Sequence, residues 1–189
     1  MPEFDNWLRE LDAFELLDWE RLPDIELYMD QVISYMERQV AVFRLTSEEK
    51  IVTPSMINNY IKDGVVPKTV KKKYSKEHLS ILSIVCTLKQ ILPIQDLHRM
   101  LEFLINEGEI PQVYQEFCEM QKESLESMRE ELNQPTHLES QSSPQEMALL
   151  AMRLAVGANS ARVASQKIIA SLMLEFGDKK AELEARGKK

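Results

Sequence analysis

Two neighbouring sets of residues have the types and spacing to do chemistry. In the first, Ser55, Asn58, Asn59 and Lys62 fall at i, i+3, i+4 and i+7. On a helix that spacing gathers them into one polar stripe, opposite Met56, Ile57, Tyr60, Ile61 and Gly64. Adjacent asparagines are poor helix formers, so an exposed stripe selected for stability alone would carry Glu and Lys. The chemistry on offer is hydrogen bonding by short heads. An Asn amide pairs bidentately with adenine N6 and N7, a Ser hydroxyl reaches a base edge or a phosphate, and a Lys reaches guanine or phosphate. The plainer role, in which Asn58 and Asn59 satisfy nearby backbone or cap a neighbouring helix, fits the helix by itself equally well.

The second set follows at once. Lys62, Lys68, Lys71, Lys72, Lys73 and Lys76 make six of the fifteen residues from 62 to 76, against one acid, Asp63. Point charges of this kind bind phosphates irrespective of sequence. A basic hairpin beside a polar-faced helix is the layout of a winged helix, with the helix in the major groove and the wing along the backbone. Ser55, Asn58, Asn59, Tyr60, Lys62, Lys68, Lys71, Lys72, Lys73 and Tyr74 are the candidate contacts to double-stranded DNA.

Other chemistry has little to build on. His78, His98, His137, Cys86 and Cys118 are dispersed, and none falls in a C-x-x-C, H-x-x-x-H or H-E-x-x-H spacing. No G-x-S-x-G, phosphate-cradling glycine loop or dinucleotide fingerprint occurs. Neither a catalytic residue, a metal nor a cofactor is therefore expected, and the chain reads as a non-enzyme.

Charge is unevenly distributed. Residues 1–50 carry 5 Lys/Arg against 13 Asp/Glu, residues 51–90 carry 7 against 2, and residues 91–189 carry 11 against 16. The total of −8 thus conceals a basic island between acidic flanks, and it is the local field that governs encounter with a polyanion. Two cysteines inside apolar patterns cannot make a disulfide framework, and no run approaches the ~18 apolar residues of a membrane span. A cytoplasmic protein without membrane contact is the expectation.

The elements that must position these residues read as helices. Low glycine, with Leu, Met, Glu, Lys and Ala abundant, favours an all-α chain. Residues 1–23 read as an amphipathic helix closing near Leu17, its aromatic stripe Phe4, Trp7 and Phe14 docking on a core. A helix is expected from Asp24 to Arg44, then a polar connection Thr46–Lys50. Thr53 as N-cap, Pro54 at the first position and Gly64 at C′ bound a helix to about Asp63. Pro67 forbids helix through Val65–Tyr74, where a two-stranded wing is predicted. Ser75 caps the next helix, which Pro93 breaks. Further helices run from about Ile94 to before Gly108 and from Ile110 to Asn133. Residues 134–145 read as a mobile linker, and a helical stretch from Gln145 to Phe176, weakened near Gly157, precedes a fraying tail. The resulting divisions are 1–23, a DNA-binding domain at 24–106, an extension at 107–133, the linker, and a C-terminal segment at 146–189.

The string Met56-Ile57-Asn58-Asn59-Tyr60-Ile61-Lys62-Asp63-Gly64-Val65-Val66-Pro67 resembles the recognition-helix segment of MerR-type regulators. Tyr60, Lys62, Gly64 and Pro67 fall on that family's Tyr, Lys, Gly and Pro, and Tyr74-Ser75-Lys76-Glu77-His78-Leu79 is similar to the segment after its wing. A closer similarity, through I-N-N-Y-I-K and K-K-K-Y-S-K-E-H-L, is to a bacterial family of uncharacterised proteins, over about residues 24 to 130. The resemblance implies a MerR-like winged helix-turn-helix core that binds double-stranded DNA and regulates transcription. Asn58 and Asn59 stand where the MerR pattern has Arg and Tyr, so those contacts do not transfer. The paired cysteines of metal-sensing members are missing, so no metal effector is implied and the effector stays unassigned.

One helix and one wing cover a half-site, which makes a homodimer the expected state of a DNA-binding regulator this size. The alternative is a non-enzymatic interaction or structural module that does not touch DNA, a reading that the acidic flanks favour.

Overall fold

The computed structural model describes residues 2–46, 48–132 and 143–187. Among these, seven α-helices and one 3-10 turn form, and no strand. The helices are α1 (Pro2–Ala13), α2 (Met29–Gln39), α3 (Pro54–Lys62), α4 (Lys76–Leu88), α5 (Ile94–Glu107), α6 (Ile110–Leu132) and α7 (Pro144–Gly187), with the 3-10 turn at Ala41–Phe43. The chain divides into two compact units, residues 1–125 and 126–189. The expected linker at 134–145 lies mostly outside the described residues.

The first unit is organised around α4. Its apolar residues go nearly all the way round the helix, and Leu79, Leu82 and Val85 are fully buried. Such a helix belongs in the middle of a domain rather than on its surface. Two serines share that interior, and each hydroxyl is satisfied within the helix. Ser80 Oγ donates to the Glu77 carbonyl at 2.8 Å and Ser83 Oγ to the Leu79 carbonyl at 2.9 Å. Around α4 pack Val32, Tyr35 and Met36 of α2, Ile57 and Tyr60 of α3, and Val113, Tyr114 and Phe117 of α6. The core therefore takes in residues that the sequence divisions placed in a separate extension. The Tyr114 hydroxyl reaches back to donate to the Leu17 carbonyl at 2.7 Å.

Three expected boundaries shift, each where backbone groups find partners outside their own helix. The first helix ends at Ala13 rather than near Leu17, because the Leu17 amide donates to Gln39 Oε1 and its carbonyl is taken by Tyr114. The second helix is Met29–Gln39 rather than Asp24–Arg44. Before it, Leu27 is paired antiparallel with Tyr74 through two backbone hydrogen bonds of 2.9 Å. After it comes the 3-10 turn. The predicted two-stranded wing is corrected for the same reason: Tyr74 bonds to Leu27, not to a residue across the wing. What remains within 65–74 is a single bridge, Val70 to Lys73.

In the second unit α7 is continuous through Gly157 and Gly177 to Gly187, with no break at either glycine. Leu150 and Ile169 are buried, whereas Leu149, Met152, Val156 and Val163 are exposed. No helix among the described residues is long and apolar enough to cross a membrane.

Both cysteines are free and buried, and burial pushes each thiol up to about 11. A thiol reacts as the thiolate, so neither Cys86 nor Cys118 should react with Ellman's reagent at pH 8 in the native state, and both should react in denaturant. Rapid native labelling would contradict this packing. Because the folded pKa lies above the unfolded one, the thiols' contribution to stability is whole below pH 9 and is lost as pH rises towards about 11.

Candidate nucleic-acid interface

The helix α3 is nine residues long and is fixed at both ends by local chemistry. Thr53 Oγ1 accepts from the Met56 amide at 3.2 Å, and Pro54 occupies the first turn, where its missing N–H costs nothing. At the other end Gly64 takes φ +77°, and the Val65 and Val66 amides both donate to the Tyr60 carbonyl. Gly64 also lies against His98: a Cβ there would sit 3.1 Å from the imidazole carbon. Both the left-handed φ and this approach demand glycine.

The two faces of α3 separate as the spacing predicts. Ile57 is fully buried and Tyr60 is 8% exposed, with Met56 and Ile61 half-buried beside them. Ser55, Asn58, Asn59 and Lys62 are all exposed. From beneath, the Lys89 ammonium donates to the Ile51 carbonyl and lies 3.5 Å from Met56 Sδ. The stripe is thus carried on a short helix whose back is held by core contacts.

The basic segment is a turn rather than a wing. The Lys73 amide donates to the Val70 carbonyl at 3.0 Å, and the two residues between, Lys71 and Lys72, have φ of 52° and 61°. Two consecutive left-handed residues define the tight hairpin turn that usually takes Asn-Gly, because a Cβ is strained there. Two lysines in those positions hold their side chains, both exposed, out from a backbone that gives them no conformational reason to be there. Lys68 is exposed as well, and it stands six positions after Lys62, a reach of at most about 20 Å.

Not every candidate is available. Lys73 pairs with Glu26 at 3.2 Å and lies 5.9 Å from the centre of the Tyr28 ring. The hydrogen bond and charge of Glu26 hold its ammonium above the usual lysine range. Lys76 pairs with Asp24 at 2.9 Å and sits 5.1 Å over the Trp19 ring. Tyr60 and Tyr74 are corrected outright as surface contacts, since both are buried. Burial pushes the Tyr60 phenol up to about 12, and the Tyr74 hydroxyl lies 3.8 Å from Met29 Sδ. Both belong to the platform behind the surface. The exposed set is Ser55, Asn58, Asn59, Lys62, Lys68, Lys71 and Lys72.

The sequence places His78 in the first turn of the helix that Ser75 caps, in a structural role, without showing what that role is. It is buried beside Ser75, whose amide donates to His78 Nδ1 at 3.1 Å and whose hydroxyl lies 2.7 Å from the same nitrogen. The imidazole closes a capping box at the start of α4, a place where Glu or Gln is usual. The only signal was Ser75 standing three residues before His78. Among the described residues no group of three His, Cys, Asp or Glu is placed to hold a metal ion. His137 lies outside those residues.

Residues 17–117 match one protein family, described as a domain of unknown function (DUF1836). No curated protein and no solved structure matches the chain.

Proposed function

We propose that this chain, which belongs to the DUF1836 family, binds double-stranded DNA, reading bases with α3 and holding phosphates with the lysine turn. The observation that supports this reading is two exposed features close together in the sequence of the first unit. Four hydrogen-bonding heads line the outer face of a helix whose inner face is core, and ten residues on, two lysines project from a strained turn. Hydrogen-bonding heads without a basic patch would lack non-specific affinity; a basic patch without them would lack discrimination. Together they divide the two tasks of a sequence-specific regulator of MerR-like type, acting as a homodimer on two half-sites.

The test starts with selection of a preferred duplex from a random pool. On the enriched sequence, Asn58→Ala or Asn59→Ala should cost roughly 1–3 kcal/mol while leaving binding to unrelated duplex nearly intact. Both side chains are exposed, so the fold should be unaffected, as circular dichroism will show. If no sequence is enriched, or both variants bind the enriched one like the wild type, α3 does not read bases. The chain is then better described as a non-enzymatic interaction module. One feature already favours that second reading: Asp24 and Glu26 occupy Lys76 and Lys73.

A further inference from the structure

We propose that α7 pairs along its outer face with the α7 of a second copy of this chain. The helix carries apolar residues on two opposite sides. On one, Leu150 and Ile169 are buried in the fold. On the other, Leu149, Met152, Val156, Val163 and Leu174 are between 42% and 83% exposed. Their successive spacings of three, four, seven and eleven bring each residue back to nearly the same side of the helix, and the stripe runs about 38 Å along the axis. Leu149, Met152, Val156 and Val163 take the a, d, a and a positions of a heptad, the seam at which two helices interlock. An apolar stripe of this length, left in water, is the mark of an interaction site rather than of a monomer's surface.

What fits the stripe is a second α7. The d position between Val156 and Val163 is Asn159, which is exposed. Its Oδ1 accepts from Arg162 at 2.9 Å, and its amide N–H groups are left for a partner. A polar residue set between apolar ones in the seam is a common device for fixing the register and number of paired helices. An Asn amide, donor and acceptor at once, is complementary to its own copy. The area is sufficient as well. Four positions in every seven lie at such a seam, so residues 145–174 bring about 17 from each helix. At the roughly 30–40 Å² per residue of a standard interface, each chain buries about 500–700 Å², which reaches the ~1,000 Å² in total of a specific dimer. Arg153, Arg162 and Lys167 accompany the seam, with no acid between Glu146 and Glu175. The pairing is therefore apolar, and it works against a mild repulsion that salt screens.

The test is sedimentation equilibrium of the full chain, without DNA, from about 1 to 100 µM. The wild type should be a reversible dimer that dissociates towards the low end of that range, as an interface near the lower size limit implies. Raising salt from about 0.05 to 0.5 M should tighten it. Val156→Glu and Val163→Glu each bury a charge in the seam and should weaken the dimer about tenfold or more. Ile168→Glu makes the same change at a residue that is 61% exposed but lies about 140° round the helix from Val163, and it should leave the dimer intact. All three sites are exposed, so circular dichroism should be unchanged. A wild type that stays monomeric at 100 µM, an assembly larger than a dimer, association that weakens with salt, or equal loss in Ile168→Glu would each overturn the proposal. So would a dimer that survives both Val156→Glu and Val163→Glu, a result that leaves the homodimer standing on another surface. Because no nucleic acid is present, the outcome is independent of whether α3 reads bases.

Discussion

Ile57→Ala is expected to lower the stability of the first unit by about 2–5 kcal/mol, the usual cost of truncating a fully buried aliphatic residue. The loss is large because Ile57 is the residue through which α3 is anchored. It has no exposed surface, and it joins one core cluster with Met36 of α2 and Leu82 of α4. Ile57→Val, which keeps most of the contacts, should cost only ~0.5–1.5 kcal/mol. Asn58→Ala, one residue further on and facing outward, should change stability by no more than about 0.5 kcal/mol. Urea unfolding monitored by circular dichroism gives all three values. If Ile57→Ala costs less than about 1 kcal/mol, the helix is not held to the core as described and its outer face is not a rigid platform.

The second large effect is a pair of opposite signs. Exchanging Lys71 for Asn and Lys72 for Gly gives the turn the residues its backbone geometry favours. Each left-handed residue with a Cβ carries of order 1–2 kcal/mol of strain, partly offset by the extra freedom of glycine in the unfolded chain. The double variant should therefore be more stable by about 1–2 kcal/mol. DNA binding should move the other way. If each lysine contacts one phosphate, the slope of log K against log salt should become shallower by about 1.8, with affinity falling for specific and random duplex alike. Stabilisation with an unchanged slope would show that the lysines face away from DNA. Strain held at a turn in order to present two charges is the pattern expected of a functional site.

What the sequence revealed here was local. The limits of α3 follow from Thr53-Pro54 and Gly64, and its two faces from residue spacing, because every interaction involved lies within a turn or two of helix. The broad apolar face of α4 could be read for the same reason, whereas its central place depends on α2, α3 and α6 packing around it. The missed features depend on partners distant in the chain. Nothing near Tyr74 shows that its backbone pairs with Leu27, and nothing near Lys73 shows that Glu26 neutralises it. The positive φ at Lys71 and Lys72 ran against residue preference, so propensity pointed away from it. The candidate tyrosines failed similarly. Tyr60 was placed rightly on the packing face and wrongly kept among the contacts, and Tyr74 carried a lysine-rich neighbourhood that hid its burial.

The Leu27–Tyr74 pairing has a consequence for how this surface can vary in length. Two backbone hydrogen bonds clasp the chain on either side of α2, α3 and the lysine turn, so the turn lies just inside the clasp, at the C-terminal end of the loop it closes. The entropy of closing a loop grows only logarithmically with its length, about 0.6 kcal/mol for each doubling. A few residues inserted between Val70 and Lys73 would thus leave the clasp and the core intact. The two positions Lys71 and Lys72 are a permissive site for insertion, whereas an insertion between Lys73 and Tyr74 or beside Leu27 would break the clasp itself.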